Sequence, residues 1–140
     1  MNQTNTRTGE ISVTAGENLT GKLNLLAKIA NDGGDAIALL PTANADLALF
    51  VIVDDNVAGE LVGLLPLCPN QNVRVTLKGT CNPGDVLVNA DVATPADIGK
   101  VRVLPATTGT YRGILIAEES GIDGQTVLAR PASLGIFTVA

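Results

Sequence analysis

Histidine is absent from this 140-residue sequence, and its absence removes several classes of chemistry at once. Without an imidazole, no Ser-His-Asp or Cys-His catalytic arrangement is possible, and the most common general base and metal ligand is missing. Tryptophan is also absent, and the aromatic residues are Phe50, Tyr111 and Phe137. Such a small set does not provide the aromatic platforms on which a carbohydrate-binding cleft is built. The sequence therefore predicts a protein that is not an enzyme.

Basic residues are few and scattered. The nine lysines and arginines form no run, and the net charge is −5. Nucleic-acid binding needs clustered positive charge, so no nucleic-acid partner is expected. Neither a P-loop nor a G-x-G-x-x-G motif occurs, and two cysteines without histidine do not complete a structural zinc site. We expect no cofactor and no metal, and we attribute the acidic balance to solubility.

Long apolar runs are missing as well. No stretch approaches the ~20 apolar residues of a membrane-spanning helix, and the polar N-terminus MNQTNTRTGE has no signal-peptide core. We interpret residues 1–10 as an N-terminal arm. The segment Leu47–Val53 (LALFVIV) is too short for a membrane span and predicts a strand buried on both faces.

The two cysteines are Cys68 and Cys81. With no signal peptide, the default compartment is reducing and two free thiols are expected. A disulfide is the alternative, since the two residues flank the candidate strand Asn72–Lys78 and a hairpin would bring them together.

Short apolar runs separated by turn residues fill the rest of the chain. Val73–Lys78 alternates apolar and polar residues, as a half-buried strand does. Asn82–Asp85 (NPGD) and Asp123–Gly124 predict tight turns. The fold class that follows is all-β, a small β-sandwich or β-barrel-like domain with an extended N-terminal arm. The other predicted strands are Ile11–Ala15, Ala36–Leu40, Leu61–Leu65, Val86–Val88, Lys100–Leu104, Arg112–Ala117, Gln125–Ala129 and Leu134–Val139.

At most one or two short helices are expected. Lys22–Ala30 fits a helix face as well as a strand, and its conformation stays open at this stage. Pro95–Ile98 predicts a helical turn, with Thr94 as N-cap and Pro95 at the first position. No repeat of fixed period and no internal linker occur, so residues 11–140 are predicted to form one domain.

A few carboxylates are candidate functional groups. Glu118-Glu119 is a neighbouring pair, for which solvated surface charge is the preferred interpretation over paired catalytic carboxylates. Asp54-Asp55-Asn56 and Asp32–Asp35 offer oxygen ligands for calcium, but they lack EF-hand spacing and turn chemistry explains both. Tyr111 is interpreted as a residue at the edge of the core with a bonded hydroxyl, and an interface anchor is the alternative.

The order of motifs in the second half, over about Gly59–Pro131, resembles that of the decoration (cement) proteins of tailed-phage capsids. These motifs are VRVTLKG at 73–79, NPGDVLV at 82–88, GKV at 99–101, LPA at 104–106, GTY at 109–111, GILIAE at 113–118, DGQ at 123–125 and Val127.

The resemblance implies a non-catalytic, all-β virion protein that binds the outer surface of the capsid and stabilises it by bridging capsomers, commonly as a homotrimer. Its implied partner is the major capsid protein, and it would be made in the cytoplasm of the bacterial host. Since a polar arm can add a strand to a shell subunit, we expect the arm to contact the capsid. The candidate contact residues are Asn2, Thr4, Thr6, Arg7, Thr8 and Glu10.

Two other hypotheses stay open. The first is another phage structural part, such as a head fibre base or a tail component. The second is a non-catalytic carbohydrate or cell-surface binding module, against which the scarcity of aromatic residues argues.

Overall fold

The structure is a computed structural model that describes residues 9–140. The predicted arm spans residues 1–10, so Gly9 and Glu10 are the arm residues within the described part of the chain, and both are exposed. The division into an arm and one domain from residue 11 onward stays a prediction.

β-Strands dominate the described residues, and the predicted all-β fold class is confirmed. The chain is rich in Val and Ile, whose branched side chains favour extended backbone and pack well on a pleated surface. Within residues 9–140 the strands are β1 (Ile11–Ala15), β2 (Leu26–Asp32), β3 (Asp35–Leu39), β4 (Phe50–Asp54), β5 (Leu61–Pro66), β6 (Val73–Thr76), β7 (Val86–Asn89), β8 (Val101–Val103), β9 (Gly109–Ala117) and β10 (Thr126–Val139).

Helical structure in this part of the chain is confined to one 3₁₀ turn, Pro95–Asp97, where the sequence predicted it. Pro95 stands at its start, where a missing amide hydrogen has no cost. Thr94 occupies the N-cap position, as predicted, but its side chain makes no capping hydrogen bond. The Thr94 carbonyl instead accepts a hydrogen bond from Asp97 N at 2.9 Å, which closes the turn through the backbone. No helix in residues 9–140 is long and apolar enough to cross a membrane.

Strands β1 to β5 form a closed barrel in the order β1-β3-β2-β4-β5. β1 closes it by pairing in parallel with β3, at Thr14 and Ile37, and antiparallel with β5, at Ile11 and Leu64. The interior is filled by aliphatic side chains, as the scarcity of aromatic residues requires. The buried members of this first core are Val13, Ala15, Leu19, Ala27, Ala38, Ile52, Val62 and Leu64.

Strands β6 to β10 form a second sheet in the order β6-β10-β9-β7-β8. Leu77, the residue directly after β6, forms an isolated parallel bridge with Val101 of β8, the strand at the other end of the sheet. The second core lies against this sheet and also contains Leu26 and Val51 from the barrel strands. The two sheets therefore share buried apolar contacts, which fix the barrel against the second sheet.

The segment that the sequence left open between helix and strand, Lys22–Ala30, is extended from Leu26 onward. Asn24 adopts a left-handed φ of 62°, a conformation that interrupts a right-handed helix. Its amide donates a hydrogen bond to Ile52 O at 2.9 Å, and β2 then pairs with β4. Pairing with a distant strand therefore decides between two conformations that the local pattern fits equally well.

The segment Leu47–Val53 is not a strand buried on both faces, and that prediction was wrong. β4 begins only at Phe50, and the side chains of Leu47 and Leu49 are 56% and 39% exposed. Ala48, between them, is fully buried in the second core. The residues before β4 belong to neither sheet, so one side of the segment packs on the core and the other side is left uncovered.

The two apolar runs predicted at Gln125–Ala129 and Leu134–Val139 belong to one long strand, β10. Its ladder with β9 is irregular between Pro131 and Gly135. A bulge of this kind accommodates a proline and bends the strand. β6 pairs with β10 only as far as Ala129, so beyond the bulge β9 is the one strand of the described chain that pairs with it.

The predicted turns at Asn82–Asp85 and around Asp123–Gly124 are confirmed, and they share one hydrogen-bond pattern. In the turn Asn82–Asp85, the side chain of Asp85 accepts a hydrogen bond from Asn82 N at 2.8 Å. In the turn Ile122–Gln125, the side chain of Gln125 accepts one from Ile122 N at 3.1 Å. The third residue of each turn, Gly84 or Gly124, has a left-handed φ. Each of these glycine amides donates to a carbonyl on the chain that leads into the other turn. The two turns are therefore related by pseudo-two-fold symmetry, although the sequence shows no repeat.

Candidate functional site

Most residues of the predicted capsid contact lie outside the described part of the chain. These are Asn2, Thr4, Thr6, Arg7 and Thr8. Glu10 is described and exposed, directly before β1. Its carboxylate lies beside Gly63 of β5, where an added Cβ would collide with it and with Asp54. The barrel therefore holds the base of the arm in a defined place, and its contact with a shell stays a prediction.

The carboxylate pair Glu118-Glu119 does not form a joint site. Glu118 pairs with Arg130 at 3.1 Å, and Glu119 pairs with Arg74 at 2.7 Å. Glu119 also accepts a hydrogen bond from Leu128 N at 2.9 Å. The two side chains therefore form ion pairs with different arginines at the β9–β10 connection, in agreement with their interpretation as surface charge.

The acidic segments weighed for calcium show turn chemistry. Asn31 Oδ1 accepts a hydrogen bond from Gly34 N at 2.8 Å in the β2–β3 turn, and Asp55 Oδ2 accepts one from Gly21 N. Asp32 and Asp35 face each other at the end of the β2–β3 ladder. Within residues 9–140, no group of three or more potential metal-ligating side chains comes together.

Neither cysteine forms a disulfide, in agreement with the expected free thiols. Cys81 is buried, and this burial raises the pKa of its thiol above the ordinary value. Cys68 is half-buried. A raised pKa disfavours the thiolate, which is the reactive form, so Cys81 is suited to packing and not to nucleophilic chemistry.

Tyr111 is buried, and its hydroxyl donates a hydrogen bond to Thr107 O at 2.9 Å. The prediction of a residue at the core edge with a bonded hydroxyl is confirmed. The guanidinium of Arg102 lies 5.5 Å from the centre of the Tyr111 ring, within the range of a cation–π contact. The tyrosine thereby ties the start of β9 to β8.

The loop that leads into Leu47 is held by exposed and part-buried polar contacts. Asp46 Oδ2 accepts hydrogen bonds from Lys28 Nζ at 2.7 Å and from Thr42 N at 2.7 Å. Burial opposes the ionisation of Asp46, but these hydrogen bonds outweigh it and lower its pKa to about 2. The side chain of Asn89, which is fully buried, donates to Asn44 O and Asp46 O at 3.5 and 3.4 Å. A rigid loop therefore presents the exposed leucines that follow it.

These leucines form one wall of an open apolar groove of about 170 Å³. Arg112 is the one ionisable residue of its lining, and its Nε donates to Ala45 O at 3.0 Å. The full lining is Leu47, Leu49, Leu67, Pro69, Arg112, Gly113, Ile114, Pro131, Ala132 and Ser133. We call this feature the Arg112 groove.

The Arg112 groove adjoins a strand edge that carries no charge. The sequence from Ala132 to Ala140 (ASLGIFTVA) contains no charged residue. Gly135–Val139 pairs with β9 on one side, and no other strand in residues 9–140 pairs with its outer edge. Leu134 and Ile136 are 39% and 48% exposed. Strand edges are usually protected by charges or coverage, so this edge and the groove are the best candidates for an interaction surface.

Sequence reasoning placed the interaction surface in the arm and missed this one. The apolar runs around Leu47 and Leu134 were both predicted as strands, the first of them buried on both faces, and neither was recognised as an exposed surface. An absence of charge over the last nine residues was the available signal, and only the pairing of β10 shows that its edge is uncovered.

Comparison with known proteins gives a match in fold. No family model matches the chain, and no curated protein matches it in sequence. Among solved structures, the chain is similar to the head fiber gp8.5 N base of bacteriophage phi29. The two are 18% identical, with a TM-score of 0.65 over 89% of this chain and 93% of that chain. The chain and this phage protein therefore share a fold along nearly their whole lengths.

Proposed function

We propose that this chain is a structural protein of a tailed-phage head, located on the outer surface of the shell, and that it acts by binding and not by catalysis. The observation that carries the proposal is the fold shared with a phage head fiber base over 89% of this chain. The motif order of residues 59–131 also resembles a class of phage head proteins.

The finer proposal is a decoration protein that binds the major capsid protein and bridges capsomers. A protein in this role needs rigidity, uncovered edges and a binding arm. The Arg112 groove, the uncharged edge of Gly135–Val139 and the arm before β1 meet these needs. Weak contacts become strong when a symmetric homo-oligomer, a trimer in this proposal, repeats them on a lattice.

A head fibre base is the second candidate, and the fold match favours it specifically. A fibre base binds the shell at a limited number of positions and carries a projecting part, whereas a decoration protein occupies the shell lattice repeatedly. The domain described by residues 9–140 is compatible with either role.

Electron cryomicroscopy of virions that carry the gene distinguishes these roles. Density for the domain at every equivalent lattice position supports a decoration protein, and density only at the base of projecting fibres supports a fibre base. A matched particle from which the gene has been deleted identifies the density. Virions whose heads lack the protein, or carry it only in the tail, would contradict the proposal.

A further inference from the structure

Arg112 carries a positive charge that has no carboxylate partner within residues 9–140. Its Nε bonds to Ala45 O, and this is the one hydrogen bond of its guanidinium in the described structure. The surrounding lining of the Arg112 groove is apolar or uncharged. Apolar walls lower the local dielectric constant and strengthen an electrostatic contact with an incoming anion. The groove thus suits a ligand that combines an apolar surface with a carboxylate.

The β2–β3 hairpin carries the opposite charge on a projecting ribbon. β2 pairs with β4 only as far as Ala27, and β3 pairs with β1 only from Ile37 onward. Between these points the ribbon is supported by its own ladder, and every residue from 31 to 36 is exposed. Asp32 and Asp35 lie directly opposite each other at its tip, and Ile29 is 40% exposed.

The paired aspartates have no cation of their own. Like charges directly opposite on neighbouring strands are destabilising. In residues 9–140, neither Asp32 nor Asp35 forms an ion pair. A cation from outside the chain would therefore relieve the repulsion at the hairpin tip.

We propose that the β2–β3 hairpin of one copy of this chain docks in the Arg112 groove of a second copy, so that Asp32 and Asp35 pair with Arg112. Charge complementarity supports this occupant, because the hairpin supplies two unpaired carboxylates side by side and the groove supplies one unpaired guanidinium. A planar guanidinium with several donors is well suited to carboxylates. The two surfaces do not meet within one chain, since every residue of the hairpin tip, 31–36, is exposed.

Apolar and backbone contacts support the same pairing. The exposed Ile29 on the hairpin meets the exposed Leu47 and Leu49 on the rim of the Arg112 groove. The outer edge of β2 beyond Ala27 and the outer edge of Gly135–Val139 are both without partners in the described chain. Such edges bind each other through main-chain hydrogen bonds. The contact joins two different surfaces, so it is head-to-tail and builds a ring or an open chain of copies.

This inference deepens the homo-oligomer part of the proposed function and rests on it for its biological role. The experiment uses the isolated full-length protein, so its result is independent of where the protein sits in a virion. Sedimentation velocity over a concentration series should show reversible self-association. Arg112→Glu should weaken association by about tenfold or more, the effect of losing ~1.4 kcal/mol. Asp32→Arg combined with Asp35→Arg should weaken it similarly.

The decisive variant carries all three substitutions, because reversed charges on both surfaces attract again and should restore association. Lys22→Glu and Glu60→Lys are the controls, since each reverses a charge outside the two surfaces and should leave association unchanged. Circular dichroism melting verifies that each variant is folded. If Arg112→Glu does not fold, a mixture of wild-type protein with the hairpin variant still tests the contact, since the variant's own groove should bind wild-type hairpins.

Three results would overturn the inference. The first is a wild-type protein that stays monomeric at every concentration. The second is an association that the charge reversals leave unchanged. The third is a triple variant that associates no better than the single-surface variants. None of them bears on the electron microscopy of virions, so the proposed head function stands or fails separately.

Discussion

Cys81 and Gly121 are joined by two hydrogen bonds, in which the amide of each donates to the carbonyl of the other at 3.1 Å. The pair lies where the chain enters the two equivalent turns, so it links the halves of the pseudo-two-fold unit. Gly121 is buried and has no left-handed φ. An added Cβ would collide with the side chain of Val127 and lie 3.2 Å from Leu77. Close packing therefore requires glycine at this position.

We expect Gly121→Ala to destabilise the protein by about 1–3 kcal/mol, because a methyl group overpacks the core beside the buried Val127. Urea unfolding followed by circular dichroism measures the change. Ser120→Ala is the matched control, since Ser120 is exposed next to the same bridge and should change stability by less than about 0.5 kcal/mol. Equal stabilities of the two variants would contradict this account of the packing.

The pKa of Asp46 predicts how stability depends on pH. Its folded-state pKa is about 2, below the ordinary 3.8, because hydrogen bonds from Lys28 and Thr42 outweigh burial. A depressed carboxyl pKa contributes stability that is fully present above the unfolded-state pKa and is lost as pH falls through the folded-state value. Asp46→Asn should therefore cost about 2 kcal/mol at neutral pH, and the difference from wild type should shrink between pH ~4 and ~2.

Urea unfolding at several pH values tests the Asp46 prediction. Asp54→Asn is the matched control, because Asp54 is exposed and makes no ion pair in the described chain. A stability difference for Asp46→Asn that stays constant down to pH ~2 would show that the ionised carboxylate is not its source.

The two cysteines should differ in reactivity. Alkylation of the native, non-reduced protein should modify the half-buried Cys68 first, whereas Cys81 should react only after unfolding, because its thiol is buried and its pKa is raised. Mass spectrometry of the unfolded, non-reduced protein should then show both thiols alkylated. An unmodified mass under those conditions would reveal a disulfide and contradict the structure.

Deleting Met1–Glu10 should weaken binding to phage heads and leave the fold intact, since β1 begins at Ile11. A co-sedimentation assay with heads that lack the protein measures binding, and the circular dichroism spectrum monitors the fold. Replacing the ten residues with a Gly-Ser segment of equal length is the control for arm length. If the truncated chain binds as well as the full chain, the proposed capsid contact of the arm is wrong.

Local patterns in the sequence were sufficient for most of the strands and for the two tight turns. Val73–Lys78 alternates because one face of β6 is buried, and Asn82–Asp85 turns because proline and glycine fix its backbone. Such signals act over a few residues and need no knowledge of the partner strand. For Lys22–Ala30 they were insufficient, since the choice of strand depended on pairing with β4.

Whether an apolar side chain is exposed depends on what packs over it, and the local sequence pattern does not contain that information. The sequence shows Leu47 and Leu49 as apolar, and only the placement of the segment outside both sheets leaves them exposed. In the same way, the sequence shows that the end of β10 is uncharged, and only the ladder shows that β6 stops pairing at Ala129.

By itself the sequence determined the class of the fold and the absence of an imidazole anywhere in the chain. That absence holds wherever the chain places its other residues, and period-two patterning predicts strands from a few neighbouring residues. The tertiary structure decided the order of the strands, the joining of Cys81 to Gly121, and the position of Arg112 in an apolar groove. These are contacts between residues far apart in the chain, and their free energy depends on what packs against each side chain in space.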